Sequence, residues 1–163
     1  MFADTAAGES LTAATLREER IATQGFLELL QLEQECLLTG DADAIGAHIE
    51  NKSACLRKLA GYAERRCRFL LGQQLSPDRP GMEQWLANAG ESAAIAAAEW
   101  QQLLEATRLA REVNETNGSL IAVRIQSNQQ ALAVLTAAAS GAGLYGRDGQ
   151  ASGNRDSRRL GAA

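Results

Sequence analysis

Residues 45–70 read IGAHIENKSACLRKLAGYAERRCRFL, and the apolar residues in this stretch fall on a heptad ladder. Ile45, Ile49, Leu56, Leu59, Ala63 and Leu70 hold six rungs, spaced alternately by four and three, while Lys52 and Arg66 hold the other two. That period belongs to a long helix lying lengthwise against its neighbours. A cation on such a seam must either carry its head group out to water or meet a partner across the interface.

Working outward, Gly40 supplies a stop for a preceding helix over residues 10–39, whose Leu16, Phe26, Leu27, Leu30, Leu37 and Leu38 recur at helical intervals. The seam helix is then expected over 42–72, and so short a link makes the two an antiparallel hairpin. The acidic pairs Glu18 with Glu19 and Glu33 with Glu35 read as solvated helix surface. Downstream, Gly72 and the run SPDRPG at 76–81 contain both prolines of the chain, marking an interruption. A short helix over 82–89 follows, carrying Trp85 and Leu86; Trp85 and Trp100 read as core anchors at the joint with the next helix.

The last helix, over 92–140, carries the stripe Trp100, Leu104, Thr107, Arg111, Asn114, Gly118, Ile121, Ile125, Asn128, Leu132 and Leu135. Its upper part is polar for a core face and its lower part apolar. Asn117-Gly118 combines a helix-weakening Gly with a turn dipeptide, which leaves both a continuous helix admitting a close backbone approach and a break at that point. Beyond it, residues 141–163 are rich in Gly and of mixed charge, and are expected to form a flexible tail.

Composition agrees with helices throughout. Of 163 residues, 31 are Ala and 22 Leu, while Ile and Val together number nine, which favours helix over strand. The expected architecture is all-α: one helical domain over residues 1–140, an antiparallel bundle of three long helices with a short linker helix and an extended C-terminal helix. Net charge is −4, against a nucleic-acid surface. No signal-like segment or membrane-length apolar run is evident, and a cytoplasmic protein without membrane insertion is expected.

Reactive chemistry is sparse. His48 is the only histidine, which excludes a His-rich metal site. The residues after it lack the Lys and Gly spacing of a phosphorelay acceptor, so it reads as solvent-facing or capping. Cys36, Cys55 and Cys67 have no metal-like spacing, and Cys55 and Cys67 on one helix stand about 18 Å apart, too far to bridge. No enzyme, metal or cofactor is expected.

Helix lengths carry a functional expectation. A third helix of about 73 Å beside partners of about 45 Å would project past the hairpin, leaving the apolar segment around residues 121–139 for a client helix or a second copy of the chain to cover. Val123, Val134 and Ala137 add a second weakly apolar face. Asn114 and Asn128 lie two heptads apart, and their stripe admits either a register-setting contact with a partner or hydrogen bonds inside the bundle.

Three motifs then occur in order: Val113-Asn114-Glu115-Thr116-Asn117-Gly118-Ser119-Leu120-Ile121, the Asn128-Gln129-Gln130-Ala131-Leu132 turns with Leu135, and Leu144-Tyr145-Gly146-Arg147-Asp148-Gly149-Gln150. Together they resemble the FlgN family of flagellar export chaperones. The resemblance implies a non-enzymatic protein that holds the terminal helical segments of the hook-associated proteins FlgK and FlgL unassembled. Leu120, Ile121, Val123, Ile125, Asn128, Leu132, Val134 and Leu135 would form the client site. On the same pattern, Tyr145 and Gly146 would help dock the loaded chaperone on the export gate protein FlhA, with Asn114, Asn117 and Gly118 as the motif core.

Overall fold

The computed structural model describes residues 11–142, and every regular element among them is helical. The order is α1 (Ala13–Thr39), α2 (Ala42–Gly72), α3 (Arg79–Ala89), a 3-10 turn (Gly90–Ala93) and α4 (Ala94–Ala142). The chain divides into two compact units, Met1–Leu120 and Ile121–Ala163. The first holds a helical bundle; the described part of the second is the C-terminal portion of α4.

Local chemistry sets the boundaries. Thr12 and Thr15 form a reciprocal capping box at the start of α1, which satisfies two donors that the first turn leaves unpaired. At its other end Gly40, at φ 89°, adopts the left-handed conformation and donates its N–H to the Cys36 carbonyl at 2.9 Å. α3 starts three residues earlier than the sequence suggested. Asp78 is its N-cap, accepting from the Gly81 N–H, with Pro80 in the first turn, where a missing N–H is harmless. Gly81 is required there, because a Cβ would stand 1.8 Å from the Ser76 carbonyl oxygen. α4 in turn starts at Ala94, after the 3-10 turn, rather than at residue 92.

Along α1 the buried positions are Leu16, Glu19, Thr23, Phe26, Leu30, Glu33 and Leu37, an unbroken alternation of three and four. Two of them are carboxylates, correcting the expectation that both acidic pairs lie in water: Glu18 and Glu35 are exposed, whereas Glu19 and Glu33 are on the seam. These are what the two seam cations of α2 meet. Arg66 pairs with Glu19, and Lys52 lies 2.8 Å from Glu33. Glu19 and Glu33 are separated by two heptads, as are Lys52 and Arg66, so a single antiparallel register satisfies both pairs.

The core is therefore layered. Leu16, Leu70, Met82, Trp100 and Leu103 form one apolar cluster, with Phe69 and Trp85 packed against it, their rings edge to face at 5.3 Å. The Glu19–Arg66 pair follows, its guanidinium 5.3 Å from the Trp100 ring centroid. Phe26, Leu30 and Ala110 form the second cluster with Cys55, Leu59 and Val113, and the Glu33–Lys52 pair closes it. Each fully buried Leu contributes roughly 1.5–3 kcal/mol. The three cysteines are free and half-buried.

Two seam positions of α2 are not covered. Ile49 and Leu56 are exposed, and the Ile45 side chain lies outside the described ones. Leu56 instead faces an open groove. His48 is half-buried rather than solvent-facing, its Nδ1 enclosed without a hydrogen-bond partner among the described residues.

The layered pairing makes a stability prediction. Arg66→Met leaves Glu19 enclosed without its cation and should lower stability by about 1–3 kcal/mol in urea unfolding, less than a fully buried pair because Arg66 retains some solvent contact. Glu19→Met together with Arg66→Met should recover most of that loss. A double variant no more stable than the single one would show that the pair does not set the balance.

Candidate functional site

The inward face of α4 is one residue away from the stripe read in the sequence. Leu103, Ala106, Ala110 and Asn117 are buried and Val113 half-buried, whereas Thr107, Arg111, Asn114 and Gly118 are exposed. Small alanines carry little weight in a hydrophobic pattern, and the neighbouring larger residues drew the reading aside. Trp100 remains a core anchor, 4% exposed.

Asn117 is the most enclosed polar side chain of α4, 1% exposed. Its Nδ2 donates to the Leu30 carbonyl at 2.8 Å and to Glu33 Oε2 at 2.9 Å. Glu33 thus receives both Lys52 of α2 and Asn117 of α4. Burial pushes its carboxyl up, but the hydrogen bonds from Lys52 and Asn117, with the charges of Lys52 and His48, outweigh burial and hold it below the ordinary 4.5. At the other end of the bundle, Glu99 of α4 accepts from Arg17 and Arg20 of α1, each at 2.7 Å. Those bonds, Arg20's first and Arg17's second, lower its pKa against the effect of burial. The internal asparagine contact that the sequence left open for Asn114 and Asn128 is made by Asn117, while Asn114 and Asn128 are exposed.

Around Gly118 the helix is continuous, and an added Cβ would meet nothing within 4 Å. No backbone approaches closely there, contrary to one of the two expectations for this glycine. Between α2 and α4, Leu56, Leu59 and Ala63 face Ala110 and Asn114 across a groove of about 480 Å³ floored by Thr23 and Phe26 of α1.

Residues 121–142 have a different character. They contain one charged residue, Arg124. Ile121, Ile125, Leu132 and Leu135 share one face at heptad spacing with Asn128, and all five are exposed. Val123 and Val134, each about two-thirds exposed, fall on the opposite face. Leu120 is half-buried. Thr136 and Ser140 turn their hydroxyls back to the carbonyls of Leu132 and Thr136, so they add little free hydrogen-bonding capacity to the surface. The sequence-derived client residues thus form an exposed apolar helix; Tyr145 and Gly146 lie outside the described residues.

A family model described as FlgN protein matches residues 10–153. The chain belongs to the FlgN family. Among curated proteins, the flagella synthesis protein FlgN of Proteus mirabilis is 32% identical over 126 residues, covering 76% of this chain and 77% of that protein. No solved structure matches the chain. The family is one of flagellar synthesis proteins, and no described helix is long and apolar enough to cross a membrane.

The motif asparagine generates a prediction. Asn117→Ala should cost about 1–3 kcal/mol, because it removes two buried hydrogen bonds. Glu33 has a depressed pKa in the folded state, so its contribution to stability is present above the unfolded value and lost as pH falls through the folded value. Without Asn117 that folded value rises towards the unfolded one, so the loss should be smaller and be complete at a higher pH. Thermal melting of both proteins from about pH 7 to about pH 3 measures the displacement; superimposable pH profiles would remove Asn117 from the Glu33 network.

Proposed function

We propose that this chain is a non-enzymatic export chaperone of flagellar assembly, acting in the cytoplasm. It binds the C-terminal helical segments of the hook-associated proteins FlgK and FlgL and delivers them unassembled to the export gate protein FlhA. The observation that carries this reading is the exposed apolar face of residues 121–135, in a segment whose one charged residue is Arg124. A monomer does not expose so continuous an apolar strip without a use for it. An amphipathic client helix can lay its own apolar face along Ile121, Ile125, Leu132 and Leu135, anchored at heptad intervals, while Asn128 fixes its register at some cost in affinity. Val123 and Val134, on the opposite face, extend the apolar surface for a client that wraps around the helix.

Flagellar synthesis in the related protein, the family membership and the motif resemblance all point the same way. Tyr145 and Gly146 are the proposed gate-docking residues: a tyrosine offers ring area and a hydroxyl with few rotatable bonds. Separate elements for client and gate would allow both to be held at once.

The test is co-purification of the full chain with the C-terminal helical segment of a hook–filament junction protein. Ile125→Glu with Leu132→Glu should weaken binding by about a hundredfold or more, as expected for two central apolar anchors, while leaving the melting of the Met1–Leu120 unit unchanged. Wild-type affinity in that variant would place the client elsewhere. Tyr145→Ala should keep the client and reduce export; loss of client binding would assign Tyr145 to the client site.

A further inference from the structure

The C-terminal half of α2 carries a second surface of opposite character. Its inward seam runs through Lys52, Leu59, Ala63 and Arg66, all half-buried, to the buried Leu70. Opposite that seam lie Arg57, Gly61, Arg65 and Arg68, spaced by four, four and three, with Lys58 alongside. Residues 57–68 contain five cations and one carboxylate, Glu64, in a chain of net charge −4. Only Arg66 of the five turns inward, to Glu19.

Arginines on α3 and on the bundle part of α4 pair with carboxylates of their own helix. On α4, Arg108 lies between Glu105 and Glu112, at 2.6 and 2.5 Å, and Arg111 pairs with Glu115 at 2.9 Å. On α2, four cations share a border with two carboxylates, Glu64 and Glu18 of α1, so the face keeps an excess of two positive charges whichever of them pair. Helix-end electrostatics accounts for a cation such as Arg68 near the C-terminus. It does not account for Arg57 and Lys58, four turns from the end, because the dipole's influence fades within the last turn.

The face is also shaped. Lys58, Tyr62, Arg65 and Arg68 surround a hollow of about 390 Å³ with Gly61 in it. The Arg65 guanidinium stands 5.8 Å from the Tyr62 ring centroid, which steadies both side chains.

We propose that this face docks an acidic helical segment of a partner protein. Arginines recognise carboxylates through paired, charge-assisted hydrogen bonds. The distance from Arg57 to Arg68 is about 16 Å, the reach of two or three carboxylates on successive turns of a partner helix. A nucleic acid would present a longer run of phosphates to a chain that is otherwise acidic, and favours a larger basic surface. The surface shares no residue with the proposed client or gate-docking sites, so its failure would leave that function standing.

The experiment uses the full chain and a fluorescein-labelled helical peptide with glutamates at positions one, five and eight, followed by anisotropy. The same peptide with glutamines, and a single-stranded DNA oligomer, serve as comparisons. The acidic peptide should bind, the glutamine peptide should not, and added salt should weaken the complex. Arg57→Glu with Lys58→Glu should lose about tenfold or more in affinity with an unchanged thermal melt. Arg57→Glu alone should lose clearly more than Arg79→Glu, which changes net charge equally but lies on α3. Absence of wild-type binding, equal losses in the two single variants, or retained affinity in the double variant would overturn the proposal. So would tighter binding of the DNA that the double variant abolishes, which would make this a nucleic-acid surface.

Discussion

Two carboxylates enclosed on the seam of α1 constrain everything packed against it. An ionised Glu inside a bundle is tolerated only with a partner, and Glu19 and Glu33 find theirs in Arg66 and Lys52. Because both pairs are separated by two heptads, sliding α2 along α1 by one heptad would separate both pairs at once. A pure leucine seam would accept such a slip at small cost. The ion pairs thus give up some stability relative to an apolar seam in exchange for a single register. α4 is tied into the same two layers, by Trp100 against Arg66 and by Asn117 on Glu33.

This arrangement frees the bundle from needing a large core. Aromatic residues are few, and the inward face of α4 is built from alanines, Leu103, Val113 and Asn117. Polar contacts therefore locate α4, through Glu99 at one end and Asn117 at the other, while the apolar clusters between them provide cohesion. The groove between α2 and α4 is where this economy shows: Leu56 lines it and stays half in water.

Much of the fold was legible in the sequence because it rests on period and punctuation. The α2 ladder, the Gly40 stop and the proline-bearing interruption all belong to that kind of signal. The need of Lys52 and Arg66 for partners was also readable, but their partners were misread, because adjacent acidic residues on a helix usually lie in water. The signal was present: Leu16, Glu19, Thr23, Phe26, Leu30, Glu33 and Leu37 keep a strict heptad, and the interval between the two glutamates repeats that between the two cations. On α4 the error had the opposite origin. Larger residues one position round outweighed the alanines that face inward, and so Asn114 was credited with the place that Asn117 holds. The exposed segment was readable because its uncharged composition needs no phase to be recognised.

The Asn117-Gly118 step acquires a physical meaning from this correction. Asn117 is the last residue of α4 that the structure buries, and Gly118 follows it on the exposed side without any backbone nearby. Up to Asn117 the inward face of α4 carries Trp100, Leu103, alanines and one amide. From Ile121 onward it presents large aliphatic side chains to solvent, with only Arg124 charged. The step therefore marks the point on one continuous helix where side chains stop serving the bundle and become available to something else. An amide suits that point better than a leucine. It satisfies the Leu30 carbonyl and Glu33 together, so the last buried contact is directional and fixes the rotation of α4 about its axis.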